Sequence, residues 1–205
     1  MRPVPPVPPV PPVHPIESRS YAILRSRLDT TTLPPLTRAV LERVVHASAD
    51  LGYATDLAIS AETDLDAAAA ALASGAPLVA DVEMVAAGIT GRGALCRLRE
   101  GVAQGGRTRS ADGIRRAFAE VGSGAVWVIG CAPTALEELL RLPAEPALVV
   151  GLPVGFVGAV EAKQALRDSG WPAVSNHSEK GGSAVAAAAV NALLYRTLPS
   201  GTVRA

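Results

Sequence analysis

One histidine in this chain is placed to transfer protons. His46 lies in the segment ERVVHASAD, residues 42–50, and is one of three histidines among 205 residues. Helical spacing predicts that it points nearly opposite to an apolar side formed by Leu36, Val40, Leu41, Val44 and Ser48. Carboxylates at Glu42 and Asp50 and a position near the helix C-terminus predict a protonated imidazole near neutral pH. A solvated surface histidine is the alternative interpretation of the same pattern.

The other histidines do not suggest a metal site. His14 follows a proline-rich stretch, and His177 lies in the loop SNHSEKGG. Neither has a histidine or cysteine three or four residues further on, so no metal ligation is expected. Asp81 and Glu83 follow a candidate strand, where they would either line a site or sit in an exposed turn.

Three loops rich in small residues each lead into a predicted helix. They span residues 130–134, 151–158 and 180–183. Unpaired amides at helix N-termini favour anions, so the loops predict an anion-binding rim, although tight turns also explain their glycines. The spacing in GLPVGFVG does not match a dinucleotide fingerprint, and no P-loop is present, so no nucleotide site is expected.

Basic side chains near these loops would complete such a rim. Arg109 precedes a predicted helix, and its loop position leaves substrate contact and solvation equally open. Lys180 opens the last loop. For Lys163, one turn inside its helix, we expect a solvated side chain.

Strand and helix patterns alternate along most of the chain. Short apolar strands are predicted around ATDLAIS, residues 77–81, residues 94–98, AVWVIG, ALVVGL and PAVSN, with helices between them. The later strands lack polar alternation, which is typical of a parallel sheet buried on both faces. We therefore predict a three-layer α/β/α sandwich with a mainly parallel sheet of about five strands.

Charge and composition narrow the function classes. Lys plus Arg equals Asp plus Glu at 19 each, so no nucleic-acid partner is expected. No apolar run approaches the roughly 20 residues of a membrane-spanning helix. The two cysteines lack metal-type spacing, which fits a reducing cytoplasm.

The N-terminus differs in composition from the rest of the chain. Residues 1–13, MRPVPPVPPVPPV, predict a disordered tail that either binds a proline-reading domain or has no partner. Residues 14–205 are predicted to form a single domain.

Several segments, taken together, resemble the precorrin-8X methylmutase (cobalt-precorrin-8 methylmutase) family. They occur in that family's order across residues 14–198, and they are HPIESRSYAILR, RVVHASAD, PLVADVEMVAAGIT, TRSADGIRRA, IGCAPTALEELL, PALVVGLPVGFVGAVEAKQAL and KGGSAVAAAAVNALLYR.

The resemblance implies a flavodoxin-like homodimer with its site at the subunit boundary. The implied reaction is an isomerisation in cobalamin biosynthesis, in which a methyl group moves from C-11 to C-12 of precorrin-8X or cobalt-precorrin-8. The product would be hydrogenobyrinate or cobyrinate. No cofactor is implied, because the rearrangement is neutral in electrons and the methyl group is already on the ring. By this resemblance His46 is the proton donor and acceptor.

The resemblance also implies a set of substrate-binding residues. They are Ser20, Arg25, Asp81, Met84, Thr108, Arg109, Cys131, Pro133, Thr134, Gly155, Lys180 and Gly181. The family usually has asparagine where Cys131 stands and arginine where Glu179 stands, so we expect weaker or altered substrate binding. A non-catalytic corrinoid-binding paralogue is the alternative function, and a nucleotide-dependent enzyme is a third.

Overall fold

A mixed five-stranded sheet forms the centre of the protein. The computed structural model describes residues 14–196, so the predicted tail at residues 1–13 lies outside the described residues. The strands are β1 (Leu57–Ile59), β2 (Leu78–Ala80), β3 (Val126–Ile129), β4 (Leu148–Gly151) and β5 (Ala173–Asn176). Their order is β1-β5-β4-β3-β2, with β1 antiparallel to β5 and the other pairs parallel.

The strand predicted at residues 94–98 is reduced to a single residue. Leu95 forms one parallel bridge with Val79, and its backbone exchanges hydrogen bonds with Leu78 and Ala80. With this bridge counted, the parallel part of the sheet follows the flavodoxin order 2-1-3-4-5. The order reverses between β2 and β3, and ligands of such sheets bind beyond the carboxyl ends of the strands at this reversal.

Nine helices surround the sheet within residues 14–196. They are α1 (Pro15–Arg27), α2 (Pro35–Ser48), α3 (Tyr53–Asp56), α4 (Glu62–Ala73), α5 (Glu83–Gly88), α6 (Arg109–Val121), α7 (Pro133–Leu140), α8 (Ala159–Asp168) and α9 (Ser183–Arg196). None of these described helices has the length and apolar character needed to cross a membrane.

Alternate residues of each central strand face opposite layers. Val126 and Val128 of β3 pack with the cluster that includes α2, α4, α5 and α9. Trp127 and Ile129 pack with a second cluster, to which α6, α7 and α8 contribute. Both clusters are closed to solvent, as a sheet between two helical layers requires. The predicted three-layer sandwich is therefore confirmed.

One helix of the structure is absent from the predicted pattern. Helix α1 was not predicted, because its charged sequence carries only two buried residues, Tyr21 and Leu24. This helix is important for the site, since it covers the side of α2 that the helical spacing left exposed.

Candidate active site

Helices α1 and α2 bring a hydroxyl and an imidazole together. Ser20 Oγ lies 2.8 Å from His46 Nδ1. The Tyr21 ring stacks on the imidazole, with the ring centroids 4.9 Å apart and the planes 10° from parallel. These two contacts fix the position and the rotation of the His46 ring. Ser20 was predicted from the family resemblance to bind substrate, and in the structure its hydroxyl contacts His46.

The predicted protonation of His46 is wrong in direction. Burial lowers the pKa of His46, and the positive charge of Arg43 lowers it further, while Glu17 acts weakly in the opposite sense. The carboxylates expected to raise this pKa are occupied elsewhere, because Glu42 binds arginines and Asp50 binds Lys180. In the free protein the imidazole is therefore favoured in its neutral form near pH 7.

Glu42 is the centre of a buried ion-pair network. Its carboxylate accepts from Arg25 at 2.8 Å, from Arg38 at 2.9 Å and from the Thr30 hydroxyl at 2.5 Å. These partners outweigh the effect of burial and lower the pKa of Glu42 to about 2. Arg25, predicted to bind substrate, is thus engaged in joining α1 to α2.

The helix that carries His46 is held at both ends. At its N-terminus, Glu62 of α4 accepts hydrogen bonds from the amides of Leu36 and Thr37, at 2.5 and 3.0 Å. Beyond its C-terminus, Asp50 pairs with Lys180 at 2.7 Å. Lys180 therefore links the loop after β5 to the end of the histidine-bearing helix.

A pocket opens beside the Ser20–His46 pair. Its volume is about 120 Å³, and its lining residues are Ser20, Ile23, Leu24, Arg27, Val45, His46, Ala49 and Leu51. Half of these residues come from α1, and Ile23 and Arg27 were not predicted because that helix was not predicted. Ligand pockets usually measure roughly 300–1,000 Å³, so this one accommodates only part of a large molecule.

Asp81 lies where the strand order reverses, and its carboxylate is hydrogen-bonded to three backbone amides. Its carboxylate accepts from the amides of Gly130, Cys131 and Ala132 at 3.1, 2.9 and 2.9 Å. Asp81 is only 2% exposed, so the exposed-turn interpretation is wrong for this residue, whereas Glu83 is exposed at the start of α5. Burial raises the pKa of Asp81 although the three amide bonds act against it. The amides before α7, expected to bind a substrate anion, are thus occupied by Asp81.

The same edge carries several other predicted contacts. Thr108, the N-cap of α6, and Thr134 of α7 approach to 2.7 Å between their hydroxyl oxygens. Arg109 is exposed, and its guanidinium donates to the Leu98 carbonyl at 3.5 Å. Pro133 is the first residue of α7, and Met84 is 68% exposed at the start of α5.

Cys131 contributes its backbone to this edge. The amide of Cys131 donates to Asp81 at 2.9 Å, so this anchor does not depend on which side chain stands at position 131. Burial raises the pKa of the Cys131 thiol, which keeps the side chain neutral.

The two remaining predicted loops contact each other. The Gly155 amide donates to the Glu179 carbonyl at 3.1 Å, and Gly181 has a φ of +153°. Lys163, expected to face solvent, is instead fully buried beneath these loops. Its acceptors come from residues 13 to 17 positions later in the sequence, so no local pattern indicates its burial.

Fold and site together define the class of this protein. It is a flavodoxin-like α/β/α protein in which a histidine, oriented by a hydroxyl and an aromatic ring, adjoins a surface pocket. A side chain of this kind is suited to proton transfer.

Comparison with known proteins identifies the family. A family model described as precorrin-8X methylmutase matches residues 15–196. A cobalt-precorrin-8 methylmutase of Salmonella typhimurium is 39% identical, with 88% of this chain and 93% of the relative covered. A precorrin-8X methylmutase of Pseudomonas aeruginosa is 40% identical, with coverage of 87% and 93%. The precorrin-8X methyl mutase structure from Thermus thermophilus superposes with a TM-score of 0.76 at 32% identity, covering 90% and 98% of the two chains.

The chain therefore belongs to the precorrin-8X methylmutase family. Its relatives are named methylmutases, and it is accordingly an isomerase that moves a methyl group within one molecule. These matches support the predicted enzyme and give no support to a non-catalytic corrinoid-binding paralogue.

Proposed function

We propose that this protein moves the methyl group at C-11 of a corrinoid ring to C-12, with His46 as proton donor and acceptor. The substrate class follows from the relatives, which are named for precorrin-8X or cobalt-precorrin-8. The product is hydrogenobyrinate or its cobalt form, cobyrinate, in cobalamin biosynthesis. The 2.8 Å contact between Ser20 and His46 is the observation that carries the catalytic assignment.

The contact with Ser20 determines which nitrogen exchanges the proton. In the imidazolium form, Nδ1–H donates to Ser20 Oγ, and Nε2–H remains for a nitrogen of the corrinoid ring. Protonation of that nitrogen eases the migration of the methyl group. After the transfer, Ser20 keeps the remaining proton on Nδ1, so Nε2 takes the first proton back once the methyl group has moved. The protein thus ends the cycle unchanged, as an isomerase requires.

The lowered pKa of His46 fits this role. An imidazolium with a lowered pKa is a stronger acid, so it gives up its proton more readily. Acetate and propionate groups of a bound corrinoid bring negative charge toward the ring and favour its protonated form. Arg27 of the pocket is a cation suited to bind one of these carboxylates.

The remaining predicted contacts belong to the same proposal. Thr108, Thr134, Met84 and Arg109 offer hydroxyl, thioether and guanidinium groups at the strand-order reversal, and Lys180 offers an ammonium group near α2. For Arg25 and Asp81 we propose an indirect part, since their charged groups orient α1 and the start of α7.

We further propose a cytoplasmic homodimer with the site at the subunit boundary. The single-chain pocket of about 120 Å³ is small for a tetrapyrrole, and a second subunit supplies further walls. The loop between β4 and α8 exposes Phe156 at 95% and Val157 at 89%, an apolar surface suited to association. Both cysteines of the chain are free, in keeping with a reducing compartment.

Conversion of purified precorrin-8X or cobalt-precorrin-8, followed by visible absorption, tests the catalytic assignment. His46→Ala is expected to lower kcat by about 10²–10⁴-fold, the usual contribution of a positioned acid–base group. His14→Asn is the matched control, because it removes a different histidine and keeps a side-chain cap for α1. Turnover by His46→Ala at the rate of the parent refutes the role of His46, and binding without conversion by the parent refutes the enzyme.

A further inference from the structure

Lys163 of α8 is a buried cation that the proposed proton transfer does not use. It is 0% exposed, and its ammonium donates to three oxygens. The acceptors are Asn176 Oδ1 at 2.8 Å, the Lys180 carbonyl at 2.8 Å and the Ser178 carbonyl. All three belong to the end of β5 or to the segment that follows it, residues 177–182, which we call the β5–α9 loop.

Asp56 holds the opposite side of the β5–α9 loop. Its carboxylate accepts from the Ser178 amide at 2.8 Å, the Ser178 hydroxyl at 2.7 Å and the Asn176 side-chain amide at 2.8 Å. Asn176 therefore bridges the two charges, accepting from Lys163 and donating to Asp56. The loop is shaped by a buried cation on one side and a carboxylate on the other.

The far end of the loop is also tightly fitted. Gly181 has a φ of +153°, and a β-carbon there would lie 2.2 Å from the Leu152 carbonyl oxygen. The next amide, Gly182, donates to the same carbonyl at 2.9 Å. A small displacement of the loop therefore breaks its contact with the chain after β4.

Lys180 connects the β5–α9 loop to the helix of His46. Its carbonyl accepts from Lys163, while its own ammonium pairs with Asp50 at 2.7 Å, just beyond the end of α2. The backbone carbonyl of Lys180 thus binds the buried ammonium of Lys163, and the side chain of Lys180 places a second positive charge beside the end of α2.

A contribution to stability alone does not account for the cation at position 163. Burial lowers the pKa of Lys163 to about 8, with Asp56 acting in the opposite sense, so the group still carries its charge at pH 7. Removing a charge from water is energetically costly, and apolar replacements of buried charged groups are often neutral or stabilising. The retained charge holds three oxygens in one arrangement, which an apolar side chain does not do.

We propose that Lys163 is a positioning residue, which holds the β5–α9 loop so that Lys180 and Gly181 receive the carboxylate-bearing edge of the corrinoid. The inference rests on the proposed function, because it takes Lys180 and Gly181 as substrate contacts. Lys163 itself touches no substrate and acts through the backbone of Lys180.

A double-mutant cycle tests the coupling between the two lysines. Lys163→Met is expected to raise KM by about tenfold and to change kcat by less than about threefold, because substrate binding is weakened while the Ser20 and Tyr21 contacts that hold the His46 ring remain. Lys180→Met is expected to raise KM similarly. The double variant should then be no worse than Lys180→Met alone, since both changes remove one interaction.

The cycle has controls for folding and for position. Ala165→Met places the same side chain at an exposed neighbouring position on α8 and should leave KM unchanged. If Lys163→Met does not fold, Lys163→Arg replaces it, and the same changes in KM and kcat are expected. A planar guanidinium cannot reproduce the three hydrogen bonds of the ammonium group. A KM within about twofold of the parent, or effects of the two lysines that multiply, overturns the inference.

Failure of the proposed function is recognised separately. If the parent binds precorrin-8X without converting it, the proposed function fails. The coupling between Lys163 and Lys180 is then measured from the Kd values of the same variants, obtained by absorption titration. If the parent converts precorrin-8X and the lysines do not couple, only this inference fails. A parent that does not bind precorrin-8X overturns both.

Discussion

Two charged neighbours act on the protonation of His46 in opposite senses. Arg43, one turn earlier on α2, disfavours the imidazolium, whereas Glu17 of α1 favours it. The two form an ion pair of 2.7 Å between Arg43 Nη1 and Glu17 Oε1. Arg43 also contacts the hydroxyls of Tyr21 and Tyr195, at 3.4 and 3.2 Å. Its charge is therefore held close to the ring that stacks on Tyr21.

Replacement of Arg43 by glutamine is expected to raise the pKa of His46. The repulsive charge is lost, and Glu17 is no longer paired with it, so both changes favour the imidazolium. Because kcat/KM reports the free enzyme, the decline of kcat/KM at high pH should move to higher pH. NMR titration of the imidazole measures the pKa directly. Arg43→Lys keeps the charge and serves as the control; a pKa that falls in Arg43→Gln, or is equal in the two variants, contradicts the prediction.

The helix that carries His46 was predictable from the sequence, whereas the charged groups around the imidazole were not. The motif around His46 resembles that of its family, and the same resemblance indicated Ser20. The pKa prediction was wrong because it considered α2 alone, where Glu42 and Asp50 are the nearest charges. Their partners, Arg25 and Lys180, lie 17 residues before Glu42 and 130 residues after Asp50, respectively. Contacts over such separations have no periodic signature.

At the scale of elements, the Glu42 network joins α1 to α2 and so holds the two halves of the Ser20–His46 pair together. Arg25 comes from α1, and Glu42 and Arg38 come from α2. Thr30 lies in the connection between the two helices. Only 4% of the Glu42 side chain is exposed, so its charge depends on these partners.

Replacement of Glu42 by glutamine is expected to destabilise the fold by roughly 2–4 kcal/mol at pH 7, since it leaves two arginines without their carboxylate. The pKa of Glu42 is lowered to about 2, so its contribution is complete above pH 4.5 and is lost as the pH falls toward 2. Urea unfolding at pH 7 and at pH 3 measures the effect, and the difference from the parent should shrink at pH 3. Glu120→Gln, which affects a half-exposed pair with Arg97, is the control and should change stability by less than about 1 kcal/mol. Equal effects of the two substitutions would argue against the network.

The strands and the central helices were predictable because each carries a local signal. Residues 126–129 and 148–151 are short, continuous apolar runs, and each is followed by a glycine-containing loop and then by a helical pattern. Helix α1 and the bridge at Leu95 carry weak signals, and their structure depends on packing against α2 and β2. The burial of Lys163 likewise depends on how α8, β5 and the β5–α9 loop pack together, and the sequence of any one of them does not predict it.

At the scale of the whole molecule, the exposed Phe156 and Val157 in the loop between β4 and α8 form the apolar tip through which we propose that two copies associate. Phe156→Asp places a charge at this tip and is expected to shift the protein toward monomer in sedimentation velocity, by roughly tenfold or more in dimer dissociation constant. Val102→Asp makes the same change at another exposed apolar residue and is expected to leave the dimer intact. A Phe156→Asp protein that sediments as the parent does would place the interface elsewhere.

The two edges of the sheet limit how copies of this protein can associate. At one edge the strand β1 has only three residues, and at the other edge only Leu95 pairs with β2. Long open edges recruit strands from other molecules and lead to aggregation, whereas such short ones offer few free backbone groups. Self-assembly through continuous sheets is thereby disfavoured, and side chains on loops and helices are left to determine which copies associate.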